Sequence, residues 1–131
     1  MMSYKTLLAY QKAFALAMKI FNVTKRFPKE ELFGLTGQIR RSSRSVCSNM
    51  AEGYRKRRYE AHFMSKLTDA DTENSETEVW LDFSLACEYI TEEEYNALYA
   101  DAEEVGRMLA YMIEHPSKFL SQTDKNLKTK K

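Results

Sequence analysis

Thr91-Glu92-Glu93-Glu94-Tyr95-Asn96-Ala97-Leu98-Tyr99-Ala100-Asp101-Ala102-Glu103-Glu104-Val105-Gly106-Arg107-Met108-Leu109-Ala110-Tyr111-Met112 decides the fold class. Thr91 followed three residues later by Glu94 reads as a capping box, in which each side chain satisfies the other's free backbone N–H. Behind it Tyr95, Leu98, Ala102, Val105, Leu109 and Met112 alternate spacings of three and four. That alternation is the seam of a helix packed lengthwise against others. His115-Pro116 closes the segment, because the residue before proline is pushed out of the helical region.

Working back from this helix, Tyr59 to Tyr89 reads as a longer one, with the stripe Phe63, Leu67, Ala70, Asn74, Thr77, Leu81 and Leu85. Residues 37–52 form another, with Thr36 as its N-cap, Gly53 as its stop and the stripe Leu35, Ile39, Ser42, Val46 and Asn49/Met50. Lys29 to Phe33 reads as a short turn closed by a left-handed Gly34. Thr6 to Lys25 is the first helix, with the stripe Leu7, Tyr10, Phe14, Ala17/Met18 and Phe21, ended by Phe27-Pro28. Four helices joined by short connections pack as antiparallel neighbours. The expected fold is all-α, an up-and-down antiparallel four-helix bundle over residues 1–116. Residues 117–131, with five Lys and one Asp, are expected to be a flexible basic tail.

Composition agrees. The chain has 131 residues, 44% of them hydrophobic, with 4 Gly and 2 Pro, enough for one core and sparing of helix breakers. No apolar run approaches the roughly 20 residues of a membrane span. Met1 to Leu8 has neither the apolar region nor the small-residue cleavage site of a secretory signal. Cys47 and Cys87 stand alone and read as reduced, buried thiols. A cytoplasmic protein without membrane contact is expected.

The net charge of +1 hides an asymmetry: residues 1–66 hold 14 Lys+Arg against 4 Asp+Glu, and residues 67–131 hold 6 against 15. Folding the second and third helices about residue 56 would set Arg41 opposite Asp71, Arg44 near Asp69 and Arg40 near Glu73. Gln38 would then face Asn74, and Ser42 would face Ala70. Together with Asn49 these residues read as a structural polar and ionic network that fixes register. Lys5, Lys12, Lys19 and Arg26 form one stripe, and Glu94, Asp101 and Glu104 an acidic one that can meet it. Most of the asymmetry is thus internal complementarity. The run Arg55, Lys56, Arg57, Arg58 stays unpaired and is the candidate nucleic-acid contact. Val79 to Cys87 is apolar on nearly every side, more than a small bundle covers, so Trp80, Phe83 and Cys87 are the candidate interface between copies.

No catalytic set emerges. His62 follows Glu60 by two and His115 follows Glu114 directly, and neither fits the Glu-x-x-His of di-iron bundles. There is no glycine-rich phosphate loop and no Ser-His-Asp or Cys-His arrangement. Glu73 and Glu76, one face of a helix, read as ion-pair partners of arginine. No cofactor, metal site or small-molecule substrate is expected.

The run from Phe27-Pro28 through Glu31, Gly34-Leu35, Gln38, Arg40-Arg41, Ser45 and Asn49 to Ala51-Glu52-Gly53 resembles the signature FPxxExxGLxxQxRRxxxSxxxNxAEG. This belongs to the bacterial four-helix-bundle family named after 23S rRNA intervening sequences. Tyr4 to Ala13 and Glu76 to Leu81 are similar to it too, so the resemblance covers about residues 4–115. Where many relatives carry Gly-Ser-Leu, this chain has Glu73-Asn74-Ser75. The resemblance implies a ring-like homopentamer and kinship with accessory proteins of diversity-generating retroelements that contact nucleic acid. It implies no known reaction. The expected function is a non-enzymatic homo-oligomeric bundle that binds RNA or associates with the ribosome and its 23S rRNA. The alternative is a structural or adaptor assembly that meets only protein partners.

Overall fold

The capping box forms as read. Thr91 Oγ1 accepts from the Glu94 N–H at 3.1 Å, and a Glu94 carboxylate oxygen accepts from the Thr91 N–H at 2.9 Å. The structure, a computed structural model, describes residues 3–120. Its helices are α1 (Leu8–Thr24), α2 (Leu35–Arg55), α3 (Glu60–Ala86) and α4 (Glu92–Glu114), with 3-10 turns at Tyr4–Thr6, Lys29–Glu31 and Pro116–Phe119. Each helix packs on the next, and α4 returns to α1. That cycle is the up-and-down four-helix bundle, with α1 and α3 at one diagonal and α2 and α4 at the other.

The buried stripes of α3 and α4 follow the sequence pattern, Phe63 to Leu81 and Leu98 to Met112, with Ser84 buried where Leu85 was expected. They build two apolar clusters. One, around Met50, Phe63, Leu67 and Leu109, lies toward the α2–α3 turn. The other, around Ile20, Ile39, Leu81 and Leu98, lies toward the α3–α4 turn. A buried polar layer separates them. Ser42 Oγ and Thr77 Oγ1 share a hydrogen bond at 2.8 Å, and Asn74 Nδ2 donates to the Ala102 carbonyl at 2.8 Å.

α1 departs from its expected stripe. Ala9, Ala13, Leu16, Ala17 and Ile20 face the core, whereas Phe14 and Met18 are 51% and 44% exposed. Both faces of this helix are apolar. The face with small alanines allows the closer approach to α2 and α4, and the bulky stripe is left outside.

Three termini also differ. The Glu31 carboxylate accepts from the Leu35 N–H at 3.1 Å, so Glu31 caps α2 and Thr36 is buried inside the helix. Gly34 has φ −106° and is not left-handed; the left-handed residue is Glu88, φ 62°, where α3 stops three residues earlier than expected. Gly53 does not end α2, which runs on to Arg55. A Cβ there would lie 2.8 Å from Lys66 Cβ, so glycine is needed for the close approach of α3. Past the expected bundle boundary at 116, Pro116–Phe119 forms a turn and Leu120 is buried. The rest of the predicted tail lies outside the described residues.

Candidate nucleic-acid interface and assembly faces

At the α2–α3 turn the four cations do not share one role. Arg57 is buried: its Nη1 donates to the Tyr54 carbonyl at 2.8 Å and its guanidinium lies 4.0 Å from the Tyr54 ring centroid. Tyr54 itself packs against Phe63 in the core. Arg57 is therefore a structural residue, and the expectation of four outward cations is corrected to three. Arg55, Lys56 and Arg58 are exposed.

Aromatic rings accompany them, which the sequence reading missed. Tyr59 is 55% exposed, with the Arg58 guanidinium 5.5 Å from its centroid. At the same end of the bundle Tyr111 stacks on His115 at 4.4 Å, and Lys118 Nζ donates to Tyr111 Oη at 2.6 Å. Cations beside exposed rings supply both phosphate attraction and stacking surface. The available signal was the alternation of Arg58 with Tyr59, and of Tyr111 with His115 and Lys118.

The network residues lie elsewhere than the expected hairpin placed them. Arg41 bonds Glu73 at 3.1 Å and also Glu76, not Asp71, and Gln38 Oε1 accepts from Arg41 Nε at 3.3 Å. Ser42 meets Thr77 rather than Ala70, and Asn74 turns to α4 rather than to Gln38. Arg40 donates to Thr24 Oγ1 at 2.8 Å, and Arg44 lies 5.8 Å from the Phe21 ring centroid, so both face α1. Asp69 lies 3.9 Å from Lys66 of its own helix, and Asn49 donates to the Ser45 carbonyl at 2.9 Å. Asp71 adds to an acidic group: burial, then the carboxylates of Glu103, Asp71 and Asp82, push the Glu78 carboxyl up. The stripes on α1 and α4 meet as expected, Lys12 with Glu104 at 3.4 Å, Lys19 with Asp101 at 2.8 Å, and Arg26 with Glu94.

Among the described residues two helices carry uncovered apolar faces, and Leu32 and Phe33 of the α1–α2 connection are exposed as well. On α3, Phe83 is 52% exposed, pairs with Trp80 at 5.9 Å and is followed by exposed Cys87, which corrects the expectation that both cysteines are buried. Trp80 is half-buried, its Nε1 donating to Glu76 at 3.2 Å. On α1, Leu8, Phe14 and Met18 are exposed. Cys47 is buried, which pushes its thiol up to about 11. Among the described residues no group of three or more His, Cys, Asp or Glu could hold a metal, and no helix is long and apolar enough to cross a membrane.

Most of the sequence signature builds the bundle. Glu31 caps α2 and accepts from Tyr89 Oη at 2.9 Å, tying the α1–α2 connection to the α3–α4 connection. Arg40 and Arg41 bind α2 to α1 and α3, and Gly53 admits α3. The chain is thus a helix bundle whose distinctive residues hold the fold, with a cation and tyrosine cluster at one end. It belongs to the 23S rRNA-intervening sequence protein family, whose model matches residues 5–111. The crystal structure of a protein of unknown function from the S23 ribosomal protein family of Bacteroides thetaiotaomicron is similar, at 32% identity and TM-score 0.74, over 81% of this chain and 98% of that one. Among curated proteins none matches.

Proposed function

We propose that this chain is a non-catalytic, self-associating bundle that holds structured RNA at its basic end. The observation that carries the reading is the convergence there of exposed Arg55, Lys56 and Arg58 with the exposed ring of Tyr59. Phosphate contacts by such cations bind without sequence preference, and rings beside them accept unstacked bases. The family's name points to the same class of partner.

Self-association is supported by the apolar faces on α1 and α3. They stand at opposite corners of the bundle, so a copy using its α3 face against a neighbour's α1 face makes a head-to-tail contact. Such contacts close into rings when the rotation permits, and five subunits is the number carried by the family resemblance. A ring repeats the basic end in every copy and converts a weak contact into avidity. These apolar faces also favour the second reading, an adaptor that meets only proteins.

Fluorescence anisotropy of a labelled structured RNA at low salt separates the two. Binding by the wild type, weakened at least about tenfold by joint replacement of Arg55, Lys56 and Arg58 with Ser, supports the RNA reading. Arg57 is left in place because it holds Tyr54. Absence of binding at about 50 mM salt gives the protein-adaptor reading precedence.

A further inference from the structure

At the opposite end from Arg55–Arg58, the connection between α1 and α2 borders an open groove of about 530 Å³. Its walls include Phe21, Phe27, Pro28, Leu32 and Thr36, and Lys25, Lys29 and Arg40 also line it. The volume falls within the range of roughly 300–1,000 Å³ typical of small-molecule sites.

Lys25 and Arg40 of the lining converge on the Phe21 ring, with Arg44 beside them outside the lining. Lys25 Nζ, Arg40 Cζ and Arg44 Cζ lie 4.8, 4.9 and 5.8 Å from the Phe21 ring centroid. Among the described residues none of Lys25, Lys29, Arg40 and Arg44 has a carboxylate within 4.0 Å, whereas the flanking Arg26 and Arg41 are paired with glutamates. Glu31, the nearby acid, is engaged by the Leu35 N–H and by Tyr89 Oη. Arg40 does not sweep solvent: its Nε is fixed on Thr24 Oγ1 and its Nη2 lies 3.5 Å from the Phe21 carbonyl. Thr36 is 3% exposed and its hydroxyl has no hydrogen-bond partner. A buried hydroxyl left so is costly, and an entering acceptor would satisfy it.

We propose that this groove binds a phosphate monoester that also carries a flat ring, with a nucleoside monophosphate as the matching class. Lys25 and Arg40 take the doubly charged phosphate, since like charges gathered at one ring repel until an anion enters, and Lys29 adds a third cation from the lining. Phe27, Pro28 and Leu32 give the ring an apolar wall. The source is either a free nucleotide or the 5′-phosphorylated end of an RNA, and the chemistry recognised is the same.

The test is calorimetric titration of the full chain with AMP, adenosine and inorganic phosphate. AMP is expected to bind with Kd at or below about 1 mM, and each of the other two at least about tenfold more weakly. Lys25→Ala with Lys29→Ala, both at exposed positions, should weaken AMP at least about tenfold while leaving the helical circular dichroism unchanged. Thr36→Val, nearly isosteric, should weaken it severalfold. No AMP binding at about 10 mM, equal binding of AMP and adenosine, or unchanged AMP affinity in the double-lysine variant would each overturn the proposal. The source is distinguished in the background of Arg55, Lys56 and Arg58 replaced by Ser, which silences the other basic end. There, competition with AMP by a 5′-phosphorylated oligonucleotide but not by its 5′-hydroxyl form assigns an RNA end, and competition by neither assigns the free nucleotide.

Discussion

Thr77 Oγ1 bonds both Ser42 Oγ and the Glu73 carbonyl, at 2.8 and 3.0 Å, in a fully buried layer between two apolar clusters. Removing one partner strands the other, at a cost of about 1–3 kcal/mol. Thr77→Val should therefore destabilise by about 1–2 kcal/mol, and adding Ser42→Ala should cost less than it does alone. A double-mutant cycle in urea with coupling under about 0.3 kcal/mol would deny the contact. Glu78 is the opposite case, a carboxylate that burial penalises first and neighbouring carboxylates second. Its folded-state pKa is raised, so ionising it costs stability once the pH is above that raised value. The cost fades as pH falls to the ordinary value near 4.5. Glu78→Gln should stabilise at pH 7 by about 0.5 kcal/mol, and thermal melts should show the gain gone by about pH 4. A gain that persists undiminished there would exclude the charge explanation.

Among the elements, the α3–α4 turn carries visible strain. Glu88 takes φ 62° so that the Tyr89 N–H can reach the Ser84 carbonyl at 2.9 Å, closing the end of α3. A residue with a Cβ pays about 1 kcal/mol in that region. Glu88→Gly should raise stability by about 1 kcal/mol in chemical denaturation, and a loss of stability would mean that the turn is held otherwise. The Thr91 box placed this turn, but nothing in the sequence marked its left-handed residue, because no glycine stands there. What the sequence carried well was local: the Thr91–Glu94 box and the α4 seam depend on residues a turn apart. The α2–α3 register was not legible. Charges alone permitted Arg41 to pair with Asp71 as readily as with Glu73, and the pairing was fixed by Gly53 against α3 and by Ser42 against Thr77. On α1, hydrophobicity could not rank the aromatic stripe against the alanine stripe, since the choice depends on how closely the helices approach. The basic end was half legible: a run of four cations announced it, but burial of Arg57 and the contribution of Tyr59 and Tyr111 needed the packing.

On the scale of the whole molecule, the proposed head-to-tail contact makes a distinctive mixing prediction. Phe14 and Phe83 are both about half exposed in the single chain, so an Asp at either should leave the bundle folded. Light scattering should find the wild type well above its 15.3 kDa chain mass, and Phe14→Asp or Phe83→Asp alone reduced to monomer. Mixed together, each variant retains the face that the other has lost, so the mixture should form dimers and nothing larger. A wild-type monomer, or full-size assembly in the mixture, would contradict that contact.

The proposed function makes one further demand, that the basic end holds phosphate. Each phosphate neutralised releases counterions, so the logarithm of affinity falls linearly with the logarithm of salt. Measuring that slope for a structured RNA, with the wild type and with Arg55, Lys56 and Arg58 replaced by Ser, tests the claim most directly. The wild-type slope is expected to flatten in the variant by about 2–3 for each subunit engaged, while the assembly mass stays the same. A slope identical in the two proteins would contradict it.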